Sequence, residues 1–221
     1  MGFTNNQYHD QKCQSYHIDL LDKSNALISK GEVINILESV SDSILGMPLN
    51  KIPLYKIEKQ LEKRQNIKNA EVYILENSLQ IDIEQKTPIV RVKRFDNLEF
   101  YMDDNGSMFN LSENHTEHIL VASGFISDSL DFTNVHTLAQ FINSNPIWKS
   151  QIIQIYLNKN KEIELIPRVG NHTILFGEID NYISKFEKLK LFYEKGAVQT
   201  GWNSYKEINL KFKDQIVCVK K

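Results

Sequence analysis

No stretch of this chain approaches the ~18–20 consecutive apolar residues that a membrane-spanning helix needs. No signal-peptide hydrophobic region stands at its start either. Glycine is scarce, with nine in 221 residues, and no glycine-rich phosphate loop occurs. Cysteine is scarcer still: Cys13 and Cys218 lie near opposite ends. Without a C-x-x-C pair, neither a zinc knuckle nor a thioredoxin-type site has its sulfurs. The two thiols can form one disulfide in an oxidising compartment or stand unrelated, so they do not settle the compartment. Excess charge of one sign is also missing. The net charge is −2, and acids are interleaved with the lysines, so no field draws in nucleic acid or an anionic membrane. G-x-S-x-G and H-E-x-x-H are both absent, which removes the nucleophile elbow and the zincin helix.

What is present is patterning. Hydrophobic content of 41% suits a soluble globular protein of one large or two modest domains. Met1 to Gln14 is polar and reads as a tether. His17 to Leu21 is a strand candidate. Ser29 followed three residues later by Glu32 is a capping box, in which hydroxyl and carboxylate each satisfy an orphan amide. Val33, Ile36, Leu37 and Val40 continue it as an apolar helical stripe, broken at Gly46-Met47-Pro48. Pro53 suits the first turn of a second helix, with Leu54, Ile57 and Leu61 on its buried face. Ala70, Val72 and Ile74, then Leu79, Ile81 and Ile83, alternate with polar residues around a turn at Glu76-Asn77-Ser78. That period of two marks a half-covered antiparallel hairpin. Residues 15–87 thus read as a β-α-α-β-β unit.

Beyond Thr87-Pro88 the character changes, and residues 88–221 read as a mostly antiparallel β domain with two helices. Strand candidates are Ile89–Val92, Leu98–Met102, Ser107–Leu111, His118–Val121, Ile152–Leu157, Glu162–Ile166 and Thr173–Phe176. One helix spans roughly Asn134 to Asn143. The other spans roughly Glu178 to Glu194, with Ile179, Ile183, Phe186, Leu189 and Phe192 as its stripe and Gly196 as a C-terminal cap. Two strands, Glu207–Phe212 and Ile216–Val219, close the chain around Lys213-Asp214-Gln215. The fold class is α+β.

Chemistry finds little to use. Asp103-Asp104-Asn105-Gly106 lacks the alternating ligands of a calcium loop, and Asn-Gly between two strands predicts a hairpin, because both residues tolerate positive φ. Its carboxylates are expected to be wet. His115 and His118 have only Glu113 or Glu117 as a local third ligand, and the segment reads as a solvated loop. Asp42-Ser43-Ile44 and Asp128-Ser129-Leu130 match a short glycosylation-acceptor pattern at Ser43 and Ser129 that simple loop chemistry also explains. No catalytic, metal or cofactor site is expected. A different possibility lies in Tyr205–Phe212, which alternates with Ile208, Leu210 and Phe212 on one face. A C-terminal strand of this kind can stand at a sheet edge and accept a partner strand, or be covered by a neighbour.

Several of these segments together resemble a known family. Ile28–Ile89 is similar to a POTRA domain, in the form seen in the FtsQ/DivIB bacterial cell-division proteins. The resemblance rests on Gly46-Met47-Pro48-Leu49, the Leu54…Ile57-Glu58…Leu61 helix, Ile67–Val72, Leu79–Ile89, the Phe100–Phe109 hairpin and the closing Ile208–Phe212. It spans roughly residues 15 to 219. It implies a non-enzymatic scaffold of the division septum, anchored in the inner membrane by a single helix that this chain lacks, with this region in the periplasm. It also implies that the POTRA domain helps recruit division proteins, and that an edge near the C-terminus binds FtsB/FtsL-type partners. Carried onto this chain, that edge is Glu207, Ile208, Asn209, Leu210, Lys211 and Phe212, flanked by Phe192 and Tyr193. The alternative is a POTRA-bearing component of outer-membrane protein assembly or secretion.

Overall fold

The capping box forms as the sequence predicts. Ser29 Oγ accepts from the Glu32 amide at 3.2 Å, and the Glu32 carboxylate accepts from the Ser29 amide at 2.8 Å. From there α1 (Lys30–Val40) runs with Val33, Ile36 and Leu37 buried. The computed structural model describes residues 11–21, 27–41, 43–112, 119–197 and 201–221. The chain divides into two compact units. The first runs to Thr87 and takes in the segment that begins at Phe109; the second holds Pro88–Met108 and resumes after that segment.

In the first unit, α2 (Leu54–Glu62) buries Ile57 and Leu61. Pro53 sits one residue earlier than expected, at the N-cap, where its missing amide is equally harmless. Strands β1 (Ser15–Leu20), β2 (Ile67–Leu75) and β3 (Ser78–Gln85) form a sheet in the order β1-β3-β2. β1 pairs parallel with β3, placing Ile18 beside Ile81, while β2 and β3 form the predicted hairpin, placing Val72 opposite Ile81. The turn is two residues, not three: Ser78 already pairs with Leu75, and Glu76 takes φ +56°. Val33, Ile36, Leu37, Ile57 and Leu61 close over Leu79, Ile81 and Ile83 as one core. Each such side chain contributes about 1.5–3 kcal/mol on full burial. The tether ends sooner than expected. The Leu49 amide donates to the Gln11 carbonyl, the Cys13 amide to the Met47 carbonyl, and Cys13 is buried.

The second unit is built on β4 (Pro88–Arg94), β5 (Glu99–Asp103), β6 (Met108–Phe109, whose second residue opens the segment counted with the first unit), β7 (Leu120–Gly124), β8 (Ile152–Leu157), β9 (Ile163–Pro167), β10 (Thr173–Gly177), β11 (Tyr205–Asn209) and β12 (Val217–Lys220). They form a nine-stranded sheet in the order β12-β11-β10-β9-β8-β7-β4-β5-β6. The sheet is more mixed than the sequence suggests: β4–β7, β7–β8 and β10–β11 are parallel pairs. Parallel neighbours need a long crossover. Helices α3 (Ser129–Ser144) and α4 (Pro146–Gln151) supply it between β7 and β8, and α5 (Tyr182–Phe192) between β10 and β11. One core joins the three helices to the sheet, with Leu138, Trp148, Phe186 and Leu189 packed among Val92, Ile155, Leu165, Ile174 and Ile208.

Helix ends depart from expectation for local reasons. α3 begins at Ser129 because Asp128 and Asp131 form a capping box of two aspartates. α4 is additional, started by Asn145 Oδ1, which accepts from the Ile147 amide at 3.0 Å, and by Pro146 just inside. α5 begins only after Asn181, whose left-handed φ of +48° separates it from β10. Its buried stripe runs through Lys185, Phe186 and Leu189, which leaves Ile183 52% exposed. The helix does not stop at Gly196 but widens into a π turn, Tyr193–Ala197. In the Asp103–Ser107 turn only Gly106 takes positive φ. Asp103 is buried, not wet, and its carboxylate accepts from the Asn105 and Ser107 amides at 3.0 and 2.8 Å.

Candidate partner-binding edge

Strand β11 carries Glu207, Ile208 and Asn209, and the chain leaves it through Leu210, Lys211 and Phe212. The structure places this segment inside the sheet, not at its edge. β11 pairs parallel with β10, Ile174 beside Ile208, and antiparallel with β12, Cys218 opposite Ile208. Ile208 and Leu210 are buried in the core, and the Leu210 amide donates to the Leu175 carbonyl at 2.9 Å. The edge lies one strand further on, at β12. Alternation in Tyr205–Phe212 cannot show this, because a half-buried strand alternates whether it has one neighbour or two. The missed signal was the last strand itself, which follows a tight turn and necessarily covers one side of β11.

The hydrogen-bonding sides of β12 follow from one contact. The Lys221 amide donates back to the Ser204 carbonyl at 3.2 Å. Successive backbone amides of a strand point to opposite sides, so Val219 and Val217 also face β11, where they pair with Glu207 and Asn209. The amides and carbonyls of Cys218 and Lys220 therefore point away from the sheet. Among the described residues no strand pairs with that outer side. Val217 and Val219 are 40% and 47% exposed. They stand on the sheet face opposite the helices, in register with Leu175 and Thr173 across β11. Lys206 and Lys220 are both exposed, and the Lys206 ammonium lies 4.0 Å from the Glu207 carboxylate.

The flanking residues separate. Phe192 is half-buried, meets the Tyr205 ring edge-on at 5.4 Å, and lines a shallow open groove with Lys188, Leu191, Lys195, Asp214, Gln215 and Ile216. Tyr193 is buried and offers no surface to a partner. Its hydroxyl lies 3.1 Å from His172 Nε2, and its ring packs 4.9 Å from Trp202. Burial pushes the Tyr193 phenol up and the His172 imidazole down, the latter partly offset by the Trp202 carbonyl. Burial also raises the Cys218 thiol. Cys13 and Cys218 are both free thiols.

Charged groups in this unit serve the fold. Asp131 is buried; burial would raise its carboxyl, but Lys161 and the Ser127 and Asp128 amides hold it below its usual range. Lys211 reaches Glu162 at 2.9 Å and lowers that carboxyl, tying the chain just past β11 to the residue before β9. Among the described residues no group of three or more His, Cys, Asp or Glu side chains is placed to hold a metal. His115, His118, Glu113 and Glu117 lie outside the described residues, as does Asp42. Ser43 donates to the Leu45 carbonyl in an exposed turn, and Ser129 opens α3 beside its Asp128 cap. No described helix is long and apolar enough to cross a membrane.

Comparison with known families finds two matches. Residues 11–84 match the POTRA-like domain. Residues 87–219 match the FtsQ/DivIB, C-terminal related family. Both are scaffold domains, not enzymes. Comparison with curated proteins finds no match. The second match covers more than half the chain and contains the whole nine-stranded sheet except its last residue, Lys220. On that span the chain belongs to the FtsQ/DivIB-related family of division proteins.

Proposed function

We propose that this chain is the extracytoplasmic region of a non-enzymatic divisome scaffold, held at the inner membrane with this region in the periplasm. It binds division proteins of the FtsB/FtsL type by strand addition at β12, and other divisome proteins through the POTRA-like unit. The observation that carries this reading is the outward row of Cys218 and Lys220 backbone groups on the last strand of the sheet. A partner strand that pairs with both residues makes up to four backbone hydrogen bonds, about 1 kcal/mol each. Val217 and Val219 give it an apolar strip to cover. The match over residues 87–219 favours this reading over a role in outer-membrane protein assembly or secretion, to which the POTRA-like unit alone would fit equally.

The test is Lys220→Pro. It removes one outward amide and leaves the bonds of β12 to β11 in place. The extracytoplasmic domains of the FtsB/FtsL-type partners, titrated onto the folded variant, should bind at least about tenfold more weakly, the equivalent of about 1.4 kcal/mol. Unchanged affinity would overturn strand addition at β12.

A further inference from the structure

Lys188 projects from α5 toward the point where β11 ends. Its Nζ lies 3.4 Å from the Leu210 carbonyl, 2.5 Å from the Phe212 carbonyl and 3.1 Å from the Lys213 carbonyl. An ammonium carries three N–H donors, and here three acceptors of one bend converge on it. These carbonyls belong to the segment that leaves β11 and enters the turn to β12. Its first part is also held by the Leu210 amide on the Leu175 carbonyl and by Lys211 on Glu162, while its later part is open to solvent. Phe212 is exposed, Lys213 and Asp214 are exposed, and β12 itself buries no residue fully. Two charged side chains also act on Lys188: Lys185, which is already engaged by Asp180 and the Glu178 carbonyl, and Asp214 on the turn.

We propose that Lys188 is a positioning residue for the β12 edge: by gathering the Leu210, Phe212 and Lys213 carbonyls it fixes the turn, and so fixes the outward row of Cys218 and Lys220 before a partner arrives. This deepens the strand-addition reading and rests on it only for its binding consequence. A hydrogen-bonding edge that is ordered in advance spares the partner the cost of ordering it. Helix α5 is itself anchored by Phe186 and Leu189 in the core, so the clamp connects a rigid element to the least buried strand of the sheet.

Site-resolved amide exchange on the whole chain tests the clamp without any partner. In Lys188→Met the Val217 and Val219 amides, which face β11, should exchange about tenfold faster while Ile208 and Leu210 hold their wild-type rates. Lys188→Arg, which keeps the charge and donors for the same carbonyls, should stay near wild type. Unchanged exchange at Val217 and Val219 in the methionine variant overturns the proposal. So does a uniform rise through β8–β11, or an arginine variant as fast as the methionine one. The binding arm uses the same FtsB/FtsL-type domains, and Lys188→Met should weaken binding through a slower association. If Lys220→Pro binds like wild type, strand addition fails, while the exchange data still decide the clamp.

Discussion

The two units each present an edge strand, and they treat it in opposite ways. In the first unit β2 ends the three-stranded sheet, and the Val72 amide at its middle is taken by Glu58 of α2 at 3.0 Å. A side chain from the covering helix thus occupies a position an incoming strand would need. In the second unit β12 ends the sheet with Cys218 and Lys220 turned outward and no strand beyond them among the described residues. Edges are hazards that proteins blunt with charge or cover. The contrast teaches that an open edge in a protein able to guard one is itself a functional signal.

The largest effect should come from moving the edge test one strand inward. Leu210→Pro removes the amide that donates to Leu175 and a fully buried side chain. It should cost about 3 kcal/mol or more and unfold the second unit at a markedly lower temperature. Lys220→Pro, on the true edge, should leave the melting temperature nearly unchanged. Equal stability losses in the two would erase the distinction between interior and edge.

A smaller effect is expected from Glu58→Ala. It leaves the Val72 amide without its acceptor, for a loss of about 1–2 kcal/mol from the first unit. It also opens β2, so sedimentation should show concentration-dependent self-association that Glu58→Gln, still an acceptor, does not. A monomeric Glu58→Ala would show that the carboxylate is no guard.

The mildest effect is one of pH. Burial holds the His172 imidazole below its ordinary pKa of 6.5, so the folded chain keeps it neutral. As pH falls through about 6.5 the unfolded chain takes the proton first. Stability of the second unit is therefore complete above that value and is lost on acidification, until the folded pKa is reached. Amide protection around Tyr193 and Trp202 should fall between about pH 7 and about pH 5 in wild type and be flatter in His172→Phe. The first unit, whose described core holds no histidine, should lack this slope. Parallel slopes in both units would remove His172 as the cause.

Much of the fold was legible where the deciding contacts are local. Ser29 and Glu32, three apart, announced α1; alternation announced the β2–β3 hairpin; Ile152–Leu157 has the bounds observed for β8. Signals of another spelling were passed over. Asp131 did the work expected of a glutamate at the third helical position, and Asn145-Pro146 started a helix too short to show a stripe. Ile183 was assigned inward because stripes of several phases fit α5, and only the packing of Phe186 and Leu189 against the sheet selects one.

What the sequence determined by itself was the kind of most elements and, α5 apart, the identity of their buried faces, since side chains within four positions dictate both. The tertiary structure alone decided which strand is the edge. Strand pairing is made by backbone groups that every residue carries, so it leaves no mark in the order of side chains. Ile208 and Leu210 look the same in sequence whether β11 ends the sheet or lies within it. Only the closure of β12 against β11, held at the bend by Lys188, shows that the outward row belongs to Cys218 and Lys220.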